Sequence, residues 1–122
     1  MKTVLVVEDC RTEQRLIVSL LQQAGLNVVL AETAESALTW LANNDQPNVI
    51  LLDIVMPGLN GLDLCRQIRA NPQLEEVPII FCSAKNREFD QFWALRQGGN
   101  GYITKPFVPK ELIQTVCGHI HQ

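Results

Sequence analysis

Two spacings of apolar and polar positions take turns along this chain. Thr3–Val7, Val28–Leu30, Val49–Leu52 and Val77–Phe81 are short unbroken apolar runs rich in β-branched residues. Such runs suit strands buried on both faces of a parallel sheet. Tyr102–Thr104 reads as a shorter fifth strand. Between the runs the spacing becomes helical. Leu16, Ile17, Leu20, Leu21 and Ala24 share a face of a first helix that begins near Arg11 and stops at Gly25. Thr33 can cap a second helix with Ala34, Ala37, Leu38 and Leu41 inward, and Asn60 a third with Leu62, Cys65 and Ile68 inward. A fourth opens at Asn86 or Arg87 and ends at Gly98-Gly99, and a fifth follows Pro109 with Leu112, Ile113 and Val116 as its buried stripe.

Strand and helix therefore alternate five times, without a linker, repeat or low-complexity segment. Right-handed crossovers then predict an α/β protein, a doubly wound (βα)5 three-layer sandwich around a parallel five-stranded sheet. One domain over residues 1–122, with no attached output domain, is expected from the length.

Composition narrows the function. The net charge is −3 and the ten Lys and Arg are scattered, so there is no basic footprint for nucleic acid and no polybasic membrane patch. No apolar run approaches the roughly 18–20 residues that span a bilayer, and the N-terminus lacks a signal-like segment. A cytoplasmic protein is expected. Cys10, Cys65, Cys82 and Cys117 form no C-x-x-C pair and read as small packing residues or near-surface thiols.

Candidate chemistry appears once the strands are set parallel. Their C-terminal ends share one edge of the sheet, the edge where open α/β sheets bind ligands. The first strand ends in Glu8-Asp9, the third in Asp53, the fourth in Ser83 and the fifth in Lys105. Asp9 alone suits a helix cap and Lys105 alone a solvated loop lysine, but caps do not explain why acids and a base arrive from separate strands. Two carboxylates 4 Å apart repel by about 4 kcal/mol at an effective dielectric of about 20. A raised pKa or a bound cation must relieve that repulsion, and oxygen ligands at an open site favour Mg²⁺. Met56-Pro57-Gly58 fits a type II turn with Gly at the position that needs φ > 0.

The segments "VLVVED", "LLDIVMPGLNG", "CSA" and "GYITKPF", in this order and spacing, resemble the receiver domain of two-component response regulators. The resemblance covers essentially the whole chain and implies a flavodoxin-like strand order, 2-1-3-4-5. It implies that Asp53 is the phospho-acceptor, that Glu8, Asp9, Asp53 and the Val55 carbonyl hold Mg²⁺, and that Ser83 and Lys105 contact the phosphoryl group. Ala84 would leave the approach to Asp53 open, the Lys105–Pro106 peptide would be cis, and Ser83 and Tyr102 would form the switch. A histidine kinase or phosphotransfer domain would be the donor. A downstream protein would dock on the face made by helix four, strand five and helix five. The stretch from Ala84 to Gly98 resembles single-domain receivers of chemotaxis and twitching or gliding motility. Ser83 and Cys10 depart from the commoner family choices, though the hydroxyl at 83 is kept.

Helix four is unusual, because Phe89, Phe92 and Trp93 fall within about one turn. Either they fill the core or, with Tyr102, Phe89 and Trp93 form a partner face. "GGNG" (98–101) follows a helix on the wrong edge for a phosphate loop and reads as a helix stop. His119 and His121 read as a solvated helix end. Two other classes compete: a carboxylate-nucleophile phosphatase, and an FMN-binding flavodoxin-like module. Against an enzyme in general, neither histidine is near the acidic edge and there is no G-x-S-x-G or Walker loop. Against an FMN module, "EDCRTEQ" after strand one is acidic and would repel phosphate in the absence of metal.

Overall fold

A computed structural model describes residues 1–120; His121, placed with His119 at the tail, lies outside the described residues. The elements are β1 (Thr3–Val7), α1 (Arg11–Gln23), β2 (Asn27–Ala31), α2 (Ala34–Asn43), β3 (Val49–Leu52), α3 (Gly61–Arg69), a 3₁₀ turn (Pro72–Leu74), β4 (Ile79–Ser83), α4 (Glu88–Arg96), β5 (Gly101–Thr104) and α5 (Pro109–Gly118). The five strands form one parallel sheet in the order β2-β1-β3-β4-β5, as the resemblance implies.

The two-residue period of the strands divides the core. Leu5, Val7, Ile50, Leu52, Ile79 and Phe81 face one way, against Ala34, Ala37 and Leu41 of α2, Leu64, Cys65 and Ile68 of α3, and Ala94 of α4. Val4, Val6, Val49, Leu51, Ile80, Cys82 and Ile103 face the other way, against Ile17 and Leu21 of α1 and Leu112 and Val116 of α5. This is why the central strands read as continuous apolar runs: both faces are covered. The capping chemistry follows the sequence. Thr33 accepts from the Ser36 N–H at 3.0 Å, and Asn60 Oδ1 from the Asp63 N–H at 2.9 Å.

β2 and β5 are longer than the sequence pattern by a residue or two, and β4, α1 and α4 differ from it more. β4 spans Ile79–Ser83 rather than Val77–Phe81. Pro78 has no N–H for a ladder, and the Ile79 N–H is taken by Asn100 Oδ1 at 2.9 Å. The strand therefore starts two residues late and carries Ser83 as its last member. On α1, Leu16 is 49% exposed, whereas Gln14 is buried and donates through Nε2 to the Glu8 carbonyl at 2.7 Å. On α4, Ala94 is the buried residue, and Phe89, Phe92 and Trp93 are 67%, 56% and 43% exposed, so these aromatics are not core.

The far edge of the sheet is organised by Arg69. Its guanidinium donates to the carbonyls of Gly98, Leu74, Glu75 and Val77 and to Asn100 Oδ1. Gly98, with φ +113°, turns the chain out of α4 just before that contact. His119 lies there too, with Nδ1 2.8 Å from the Thr115 carbonyl and Nε2 3.3 Å from the Asn100 carbonyl. Residues 98–101 and His119 are thus joints of the scaffold, remote from the acidic edge.

Candidate functional site

Each strand delivers its polar residue by leaving the sheet at the same edge. β1 is the central pairing partner of β2 and β3, and the Glu8 N–H still bonds to the Ala31 carbonyl at 3.0 Å. That bond keeps Glu8 in line with the strand and almost fully buried, while Asp9, one residue on, is exposed. Glu8 Oε2 accepts the Cys10 N–H at 3.1 Å and Oε1 accepts from Lys105 Nζ at 2.6 Å.

Asp53 follows β3 and keeps a ladder bond from its N–H to the Val7 carbonyl, 3.1 Å. Its Oδ1 accepts two backbone N–H groups, from Ile54 at 2.7 Å and Val55 at 3.3 Å. Oδ2 accepts from Lys105 Nζ at 3.1 Å. One oxygen is therefore pinned by the chain, and the other faces an amine. The turn that follows has Gly58 at φ +75°, as the third position of a type II turn requires.

Lys105 leaves β5 through a cis peptide to Pro106. Its N–H bonds to the Ser83 carbonyl at 2.9 Å, and its ammonium bonds to three carboxylates: Glu8, Asp53 and Glu13, the last at 2.6 Å. Glu13, from the first turn of α1, completes a cluster with Glu8 and Asp53 whose ligand oxygens lie within 4.8 Å of one another. Asp9, expected beside Glu8 and Asp53, is not among those three. Glu13 was not singled out in the sequence, because a glutamate in a first helical turn ordinarily serves the helix end.

A cleft of about 410 Å³ opens over the cluster, lined by Glu13, Asp53, Val55, Ser83, Ala84, Lys85 and Lys105. Val55 and Ala84 are exposed at its mouth, and Ser83 is fully buried at its base. Ser83 Oγ accepts the Lys85 N–H at 3.3 Å, and the Lys85 carbonyl accepts the Tyr102 hydroxyl at 2.5 Å. The Tyr102 ring packs on Phe81 with centroids 6.3 Å apart. One peptide segment thus joins the base of the cleft to a half-buried tyrosine. Phe89 and Trp93 lie outside the cleft, on the outer side of α4.

The electrostatics follow from burial. Loss of water pushes the Glu8 carboxyl up to about 7, against the pull of Lys105 and the Cys10 N–H. Burial would lower Lys105, but hydrogen bonds to Glu13 and Glu8 and the charge of Asp53 raise it above its ordinary value. The amine is therefore a fixed cation. Burial also holds the Cys82 thiol up at about 12 and Cys65 at about 11, which makes both inert packing residues. Against one ammonium stand three carboxyl groups, an all-oxygen donor set that suits a hard divalent cation.

Comparison with known proteins bears on the family and the fold. The sequence model of the response regulator receiver domain matches residues 4–117. Protein PilH of Pseudomonas aeruginosa is 36% identical over 116 residues, covering 95% of each chain. The chemotaxis response regulator CheY4 of Vibrio cholerae superposes with a TM-score of 0.92 at 26% identity, over 98% of this chain and 99% of that one. The Mn²⁺-bound form of response regulator Rcp1 superposes with a TM-score of 0.82 at 27% identity, over 97% of this chain and 91% of that one. Spanned almost end to end by that sequence model, and folded as its members are, this chain belongs to the response regulator receiver domain family.

Proposed function

We propose that the protein is a phospho-acceptor of a two-component relay, with Asp53 as the residue that takes the phosphoryl group. The observation that carries this reading is the unequal treatment of the two Asp53 oxygens. Oδ1 is fixed by two backbone N–H groups, and Oδ2 is left against Lys105 at the wall of an open cleft. A nucleophile needs that combination of rigidity and access. The P–N bond of a donor phosphohistidine breaks as a P–O bond to Asp53 forms, and the donor imidazole leaves. Lys105 neutralises charge on the transferred oxygens, and the Ser83 hydroxyl donates to them. Glu8 and Asp53, with Asp9 and the Val55 carbonyl as the resemblance implies, would hold Mg²⁺. Bound there, the cation offsets the negative charge of the carboxylates and of the incoming group. That response regulator Rcp1, of the same fold, was solved in a Mn²⁺-bound form supports a divalent cation as the ligand.

The new dianion attracts the Ser83 hydroxyl, which now accepts from the Lys85 N–H. Moving Ser83 disturbs Lys85, and with it the bond from the Tyr102 hydroxyl. The signal leaves by way of α4, β5 and α5, a local charge change that biases a two-state surface. Phe89, Trp93 and Tyr102 are the side chains we assign to a downstream protein partner there. Such a protein acts by docking rather than by turnover of a substrate. The chemotaxis neighbour CheY4 favours a role in taxis or motility, in the cytoplasm, where histidine kinases present their phosphoryl groups. Among the described residues no helix is long and apolar enough to cross a membrane.

Incubation with acetyl phosphate and Mg²⁺, followed by intact-mass measurement, tests the assignment. One added phosphoryl group is expected, absent with chelator and absent in Asp53→Asn. An equal adduct on Asp53→Asn would move the acceptor elsewhere.

A further inference from the structure

The acidic cluster contains one carboxylate more than the mechanism uses. An ammonium has three donors, and those of Lys105 meet Glu8 at 2.6 Å, Glu13 at 2.6 Å and Asp53 at 3.1 Å. The amine is drawn toward β1 and α1, and its bond to Asp53 is the longest. To contact a phosphoryl oxygen on Asp53 it must release one of its partners. Asp53 is the reacting group. Glu8 is buried, with its side chain 2% exposed, and is tied as well by the Cys10 N–H. Glu13 is the partner at the rim, with its side chain 35% exposed, free to swing into water.

The local sequence explains why Glu13 is available. It is the third residue of α1, where a glutamate ordinarily reaches back to the N–H of the capping residue. Here the capping residue is Cys10, which makes no side-chain cap, and its N–H is taken by Glu8. Glu13 is left without that duty, and its carboxylate closes on Lys105 instead.

We propose that Glu13 is a positioning residue, a latch that holds the Lys105 amine toward α1 until a phosphoryl group arrives. The proposal rests on Asp53 being the acceptor. In the resting protein the pair keeps the amine drawn toward α1, on the side of the cleft that Glu13 lines. When negative charge collects at Asp53, it outcompetes a half-solvated carboxylate and the amine turns. Opening the pair is then part of the barrier to phosphorylation, and weakening it speeds the step.

Two variants test this. Glu13→Gln removes the charge and keeps the size; Glu13→Asp keeps the charge and withdraws it by one methylene. With acetyl phosphate at saturating Mg²⁺, both variants should gain the phosphoryl group roughly two- to fivefold faster than wild type, the range an exposed ion pair supports. In the metal-free protein, ¹⁵N relaxation of Lys105 Nζ should show a more mobile ammonium in both. A rate that is unchanged or slower in either variant would overturn the latch. So would a gain in Glu13→Gln alone, which marks simple repulsion of the donor, or an ammonium as rigid as in wild type. The parent reading fails separately. If wild-type protein takes no phosphoryl group, or Asp53→Asn takes it equally, the acceptor falls and the latch with it; if wild type is labelled at Asp53 and the variants match it, the latch alone falls.

Discussion

At the scale of single residues, the reactivity assigned to Asp53 depends on a neighbour that contributes no chemistry. A Cβ on Gly61 would stand 2.0 Å from the Asp53 carbonyl oxygen and 2.6 Å from Leu52 Cδ1. The Gly61 N–H also bonds to the Ile54 carbonyl at 2.9 Å. The first residue of α3 is thus pressed against the backbone that aims the Asp53 side chain, and only a hydrogen fits. Gly61→Ala should cost about 1–3 kcal/mol of stability, as overpacking typically does. It should also slow phosphorylation beyond that loss, because relief of the clash must displace Asp53 itself. Urea unfolding and the intact-mass assay at full folding check the two parts, and a variant as reactive and as stable as wild type would refute the account. The same scale shows where the sequence was mute. Glu8 and Asp9 are adjacent and chemically alike, yet one strand bond, from the Glu8 N–H to Ala31, buries the first and leaves the second in water.

At the scale of elements, the strands and helices were legible because burial on both faces of the sheet writes unbroken apolar runs, and because Thr33, Asn60 and Pro109 mark helix starts. The convergence of Glu8, Asp53, Ser83 and Lys105 was legible for the same reason, since parallel strands share an edge. What escaped depends on partners distant in the chain. The start of β4 is set by Asn100, and the inward turn of Gln14 by the Glu8 carbonyl. The reach of Glu13 is set by Lys105, 92 residues away. Helix α4 is the clearest case: its aromatics suggested either core or surface, and the structure puts them outside, with Ala94 as the residue the helix buries. Trp93 stacks edge-on to Phe89 at 6.0 Å and Phe92 at 6.1 Å, with Arg96 5.5 Å above the Phe92 ring. This outward ridge is held together by its own contacts rather than by the core. Trp93→Ala should therefore change unfolding stability by less than about 1 kcal/mol and leave phosphorylation intact. It should weaken binding to the output partner by more than about fivefold, as loss of a docking aromatic does. A large stability loss without a binding defect would return Trp93 to the core.

At the scale of the whole molecule, the sheet gathers its acids at one edge and leaves the scaffold bonds of Arg69 and Asn100 at the other. The sandwich thus carries a localised electrostatic cost at the acidic edge, borne chiefly by Glu8. Its carboxyl goes from an ordinary value of 4.5 up to about 7 on folding, chiefly through burial. Between those values the folded state keeps a proton that the unfolded chain has released, so the native protein binds more protons. Stability of the metal-free protein must then fall as pH rises from about 4.5 to about 7 and level off above that. Other groups add their own slopes, and Glu8→Gln removes this one. The difference in unfolding free energy between wild type and Glu8→Gln, followed by urea titration, should slope across that window and be flat above it. Mg²⁺ should act in the opposite sense, stabilising wild type more at pH 8 than at pH 5, since a carboxyl must lose its proton to become a ligand. A difference curve without slope would mean that Glu8 titrates as it does in water. The acidic edge would then impose no strain for a cation to relieve.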